Sequence, residues 1–142
     1  MNKIAFTKRL TANDTGESGA HQAGIHIPKG AKELIEFLPR LDASIKNPDA
    51  WLTCTDEEGR DWSFRYVFYN NKMHDPGGTR NEYRITHMTK YFRAFGATEG
   101  DNFKITSSEE SAGYTISIEP STSDNQLDEV GKIKLAGWKR VH

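Results

Sequence analysis

Residues 61–69 read DWSFRYVFY, with Trp62, Phe64, Tyr66 and Phe68 at every second position. An extended strand turns alternate side chains to opposite faces, so this spacing gathers four aromatic rings on one side. A helix would scatter them around its circumference. A face that apolar must lie against a second layer, which commits the chain to a sheet curled on itself or covered by helices. Neighbouring segments follow the same pattern. Residues 3–10, 23–28, 50–55, 102–106, 113–119 and 132–138 read as short strands, and 83–95 as a strand followed by the short helix KYFRAF. Leu34, Ile35 and Leu38 recur at helical spacing in 30–38, which Pro39 closes. The spacing predicts a mainly β fold of about seven strands with one or two short helices, an all-β barrel or pseudobarrel. Trp51, Trp62, Phe64, Tyr66 and Phe68 are expected in the core rather than on a stacking platform, and Cys54 as a buried structural thiol.

The chain has 142 residues, enough for one domain spanning 1–142. Fifteen aromatic residues and a net charge of -1 exclude full disorder. A single cysteine excludes a disulfide framework and fits a reduced compartment. No apolar run reaches about 18 residues, and Met1–Phe6 lacks the apolar stretch of a secretory signal. The expectation is a soluble cytoplasmic protein with no membrane partner.

Near-neutral charge excludes a polycationic coat for nucleic acid, yet the charge is unevenly distributed. Residues 1–32 carry +3, 33–59 carry -5, 60–93 carry +4, 94–131 carry -7 and 132–142 carry +4. Basic and acidic segments on opposite faces of one small domain give it a strong dipole.

Two long polar loops hold most of the candidate chemistry. The first, 7–22, contains Lys8, Arg9, Asn13, Asp14, His21 and Gln22. The second, 70–86, contains Asn71, Lys72, His74, Arg80, Asn81, Glu82 and Arg84. Loops of this length in a compact domain are functional or disordered. Their planar groups match base edges: Arg spans guanine O6 and N7, Asn and Gln pair with adenine, and Asp or Glu accepts from cytosine N4. Lys8, Lys72, Thr11 and Thr15 suit phosphates. A film of non-specific charge has no use for Asp14 and Glu82, whereas a reader of cytosine does. A plainer alternative stands beside this one. Asn13-Asp14-Thr15-Gly16 also makes an ordinary turn, and Arg80 to Arg84 a solvated strand edge with an ion pair.

The run Lys8-Arg9-Leu10-Thr11-Ala12-Asn13-Asp14-Thr15-Gly16, then Gly19-Ala20-His21-Gln22 and Ile27-Pro28, resembles the N-terminal effector-binding domains of EcoRII- and UbaLAI-type restriction endonucleases. So does Tyr69-Asn70 followed by Thr79-Arg80-Asn81-Glu82-Tyr83-Arg84-Ile85-Thr86. The two motifs stand in the right order and spacing. The resemblance implies an open seven-stranded DNA-binding pseudobarrel of the plant B-three type, in which two loop arms grip the major groove. The N-terminal arm falls on Lys8 to Gln22 and the C-terminal arm on Lys72 to Arg84. The implied partner is double-stranded DNA with a CCWGG-type site, W being A or T, and a covalently linked nuclease domain. This chain departs from the pattern in a longer loop at Asn71–Gly78, and in Tyr83, which stands where a basic residue is expected.

The residues give little sign of catalysis. Metal-dependent restriction nucleases use a carboxylate followed by Asp-x-Lys or Glu-x-Lys, and none of the 20 acidic residues has Lys two positions later. No His has Lys two positions on, and one Cys with scattered His makes a poor zinc site. No cofactor, metal or catalytic residue is expected. The expected function is sequence-specific binding of double-stranded DNA, as the recognition or effector module of a restriction enzyme or as a stand-alone relative. The alternatives are a nuclease with an unrecognised active site and a binder of single-stranded nucleic acid.

Overall fold

The strand with alternating aromatics is where the sequence places it. In the structure, a computed structural model that describes residues 3–16, 24–108, 113–120 and 138–141, β4 spans Asp61–Tyr69. Phe64, Tyr66 and Phe68 are buried, and half-buried Trp62 donates from Nε1 to Asp56 Oδ2 at 2.8 Å. Asp56 also organises the preceding turn, its Oδ1 accepting from the backbone of Glu58 and Arg60.

Around β4 the chain runs β1 (Lys3–Arg9), α1 (Ala12–Thr15), β2 (Gly24–Ile27), α2 (Lys32–Phe37), β3 (Asp49–Thr55), then β4. It continues through α3 (Asn71–His74), β5 (Glu82–Thr86), α4 (Thr89–Ala94), β6 (Asn102–Ser108), β7 (Tyr114–Glu119) and β8 (Trp138–Val141). The eight strands form one sheet in the order β2-β5-β4-β3-β7-β6-β1-β8. Neighbours are antiparallel except β3 and β7, which touch in parallel at Cys54↔Tyr114 and Thr55↔Thr115. The sheet curls until its two edge strands approach: Trp138 Nε1 on β8 donates to His26 O on β2 at 3.1 Å.

Two expectations need correction. Among the described residues there are eight strands and four short helices, rather than seven strands and one or two helices. The extra helices, α1 and α3, are single turns inside the polar loops. Four residues are too few to display a 3.6-residue apolar period. The strand expected at 132–138 lies outside the described residues except for Trp138, which opens β8. The second correction concerns Trp51, which is 54% exposed rather than in the core. Leu52 and Cys54 own the inner face of β3, so the two-residue period turns Trp51 outward beside Arg65.

The core lies inside the curl. Tyr91 of α4 sits at its centre, its ring within 5.2–6.1 Å of those of Trp62, Phe64, Phe95 and Phe103. Leu34, Leu52, Ile85, Met88 and Ile105 fill the space around it. Cys54 is fully buried, and burial pushes its thiol up to about 12, so it is an inert packing group. Tyr83 takes part in this packing too. It stacks on Phe68 across the strand pair with centroids 4.3 Å apart, which explains why an aromatic replaces the basic residue expected there.

Candidate nucleic-acid interface

The N-terminal arm begins as β1 ends. Thr11 caps α1: its hydroxyl accepts from Asp14 N at 3.1 Å while Asp14 Oδ2 accepts from Thr11 N at 3.0 Å. Reciprocal capping of this kind satisfies two backbone donors that a one-turn helix would otherwise leave open. Gly16, at φ 84°, ends the turn in the left-handed region. Beneath it, Lys8 Nζ donates to Asp14 Oδ2 at 2.8 Å and to Arg9 O at 2.9 Å. Both charged groups are buried, with Lys8 only 3% exposed. The expectation that Lys8 holds a phosphate and Asp14 accepts from a base meets this burial: Lys8 Nζ and Asp14 Oδ2 are engaged with each other and with the arm's backbone. Asn13 is exposed and Arg9 half-exposed. His21 and Gln22 lie outside the described residues.

The C-terminal arm is anchored at Asn70, which is fully buried. Its amide donates to Ala43 O (3.3 Å) and Ile45 O (2.9 Å), and its Oδ1 accepts from Asn47 N (2.7 Å). Asn47 returns the bond, accepting from Asn70 N at 3.1 Å. Lys46–Asp75 at 2.6 Å and His74 Nε2 against Ala43 O at 3.1 Å hold α3 to the same loop. The arm then folds back on itself. Asn71 Oδ1 accepts from Arg80 N at 2.8 Å, and Lys72 N donates to Arg80 O at 3.0 Å. Gly78 is required where it stands, since a Cβ there would lie 2.1 Å from Asn71 O. Lys72 is exposed on the outside of this turn.

Between the arms lies a cleft of about 510 Å³ lined by Asn13, Tyr69, Arg80, Glu82, Arg84, Thr86 and His87. Strand register explains the convergence: Glu82, Arg84 and Thr86 point to one side of β5, beside Tyr69 and Arg65 of β4 and His26 of β2. Arg80 packs its guanidinium 3.8 Å above the Tyr69 ring centroid and donates to Glu82 Oε2 at 2.6 Å. Arg84 Nη1 lies 3.9 Å from the same carboxylate oxygen. Burial alone would raise the Glu82 pKa, but the hydrogen bond from Arg80 and the charges of Arg80 and Arg84 hold it below the ordinary value. His26 is lowered, first by burial and then by Arg84 and Lys8, with Glu82 and Asp14 pulling the other way. Asn81 does not open freely into the cleft. Its Oδ1 is buried and accepts no hydrogen bond among the described residues.

The sequence reading thus brings together Asn13, Arg80, Glu82 and Arg84 in one cleft. It missed Tyr69 as the platform under Arg80, and also Thr86, His87 and His26. Alternation along β5 puts Thr86 in phase with Arg84, whereas His26 meets Arg84 only through the β2–β5 register.

With this geometry in hand, comparison with known proteins places the chain. The family described as "Restriction endonuclease EcoRII, N-terminal" matches residues 1–101. The chain belongs to this family. Within the EcoRII N-terminal family it is similar to the type II restriction enzyme EcoRII of Escherichia coli, at 36% identity over 107 residues. That match covers 68% of this chain and 24% of the enzyme, so the chain spans about a quarter of its relative's length. It is also 41% identical over 64 residues to auxin response factor 22 of Arabidopsis thaliana, covering 45% of this chain and 9% of that protein. Among solved structures, the Arabidopsis FUS3–DNA complex superposes with a TM-score of 0.63 at 22% identity, covering 84% of this chain and 99% of that one. This member of the EcoRII N-terminal family therefore has the B-three-like pseudobarrel fold that the resemblance implied.

Proposed function

We propose that this domain binds double-stranded DNA sequence-specifically, taking a short CCWGG-type site in the major groove between its two arms. In this reading it is the recognition or effector module of a restriction endonuclease, and cleavage belongs to a nuclease domain elsewhere in the enzyme. The observation that carries the reading is the cleft in which Arg80, Glu82 and Arg84 face Asn13, within a chain of the EcoRII N-terminal family. Arginines suit guanine O6 and N7, and a carboxylate held ionised beside them suits the cytosine amino group of the same G·C pair. A donor–acceptor set of this kind reads base edges rather than bare phosphate charge. Lys72, and the partly exposed Arg9, supply phosphate contacts, while Lys8 and Asp14 shape the arm from within.

The test is equilibrium binding at physiological salt to a CCWGG duplex, a scrambled duplex and the corresponding single strands. The expected result is a clear preference for the CCWGG duplex. Equal affinity for both duplexes sinks the reading, and a preference for single strands replaces it with the single-strand alternative.

A further inference from the structure

One part of the outer sheet face remains unexplained. Trp51 is the most exposed aromatic side chain among the described residues, and it stands on β3 at one end of a row running Trp51, Arg65, Thr86 across three strands. Its ring meets that of His87 edge-on, with centroids 5.1 Å apart. His87, in turn, lines the cleft together with Thr86. The backbone at His87 has φ 69°, in the left-handed region that few residues with a side chain adopt, His being among those that do so more often. Thr86 Oγ1 and His87 Nδ1 lie 2.8 Å apart, which fixes the imidazole beside the indole.

We infer that the Trp51–His87 rim receives the sugar–phosphate backbone of duplex DNA flanking the recognised site, an inference that rests on the DNA-binding reading above. Three observations select this occupant. The rim is continuous with the cleft through His87 and Thr86. Its neighbours on the outer face are polar: Arg65 is ion-paired to Asp49 at 2.6 Å, and Ser63, Thr53 and Thr86 complete the surface. A protein-docking patch gathers several apolar side chains at its centre, whereas here one indole stands alone among donors. Of the other exposed large apolar groups among the described residues, Ile45 and Met73 belong to the loop and helix at the C-terminal arm, and Val141 to β8. A ligand that alternates apolar deoxyribose with anionic phosphate fits one flat ring beside an imidazole, a hydroxyl and a guanidinium. The segment 60–93, which supplies most of these donors, carries +4.

The experiment uses two duplexes with the same site, one ending at its edges and one extended by about ten base pairs, one helical turn, on each side. Iodide quenching of tryptophan emission reads Trp51, since Trp138 is buried and Trp62 is half-buried and hydrogen-bonded. The extended duplex is expected to shield the emission from iodide and the short one to leave it accessible, and Trp51→Phe removes that difference. Trp51→Ala is expected to lose about fivefold in affinity for the extended duplex and nothing for the short one, with the thermal midpoint unchanged. Equal iodide access with both duplexes, or an equal loss on both, overturns the inference. Shielding that develops with protein concentration in the absence of DNA also overturns it, by assigning the face to a second copy. If Trp51→Ala does not fold, the wild-type iodide comparison decides alone. Flank-dependent shielding without preference for CCWGG leaves this contact standing and removes the base-reading proposal. The opposite result removes only the contact.

Discussion

At the scale of single residues, burial decides which charges work on a ligand and which work on the fold. Lys8 and Asp14 lie at the root of the arm and bond to each other. Removing one member of a buried pair strands the other charge. Lys8→Met is therefore expected to destabilise the protein by about 3 kcal/mol, read from urea denaturation, and to weaken DNA binding only through the loosened arm. Tyr91 is the opposite case. Its hydroxyl is buried in the aromatic core with no hydrogen-bond partner among the described residues, a cost of about 1–3 kcal/mol. Tyr91→Phe keeps the ring and deletes the burden, so thermal unfolding should show unchanged or raised stability. His26 gives a pH signature. Its folded pKa lies below the ordinary 6.5, so below that pH the unfolded chain takes up the proton first. Stability contributed by the neutral ring is present above the unfolded value and is lost as pH falls through it towards the folded pKa. His26→Asn should flatten the fall in melting temperature between about pH 7 and pH 5, and an identical slope in both proteins would refute the assignment. None of these three roles is written in the sequence. A lysine six positions before an aspartate looks like any surface pair, and only a one-turn helix folding over β1 buries them together. Trp51 misled in the other direction, because an aromatic in a strand looks like core until its phase against Leu52 and Cys54 is considered.

At the scale of elements, the strands were legible and the arms only partly so. The two-residue period located β4 to the residue, since four rings on one face have a single solution. The arms were recognisable as long polar segments. Their internal construction was not: the C-terminal arm depends on contacts with loop 42–48, more than twenty residues away in sequence, and the N-terminal arm on the burial of Lys8 against Asp14. Reach is what the C-terminal arm needs, and it gets it from a tight return. Gly78→Ala places a methyl carbon against the Asn71 carbonyl. Local overpacking of this kind costs about 1–3 kcal/mol. The expected outcome is a displaced Arg80 and at least tenfold weaker binding to the CCWGG duplex, with a melting midpoint by circular dichroism lowered by only a few degrees.

At the scale of the whole molecule, the uneven charge along the chain acquires a spatial meaning. The basic segment 60–93 supplies Arg65, Arg80 and Arg84 to the cleft side of the sheet, while most of the acidic excess lies in 33–59 and 94–131. Binding is expected to weaken steeply with salt, with a slope that falls by about 1 in Lys72→Ala, which should weaken CCWGG and scrambled duplexes alike. Arg80→Ala, by contrast, should cost about 1–3 kcal/mol on the CCWGG duplex and relax preference at one guanine. The bond from Trp138 to His26 adds a mechanical property. A sheet closed by a full ladder resists opening everywhere; among the described residues, β8 meets β2 through one indole proton given to a strand carbonyl, and Arg140 on β8 pairs with Glu33 of α2 beside it. Opening is expected to be easiest at that seam, and β2 also carries the His26 imidazole, which senses charges from both arms. Were a duplex to spread the arms, that seam is expected to give like the slit in a spring collar, leaving the aromatic interior unstrained.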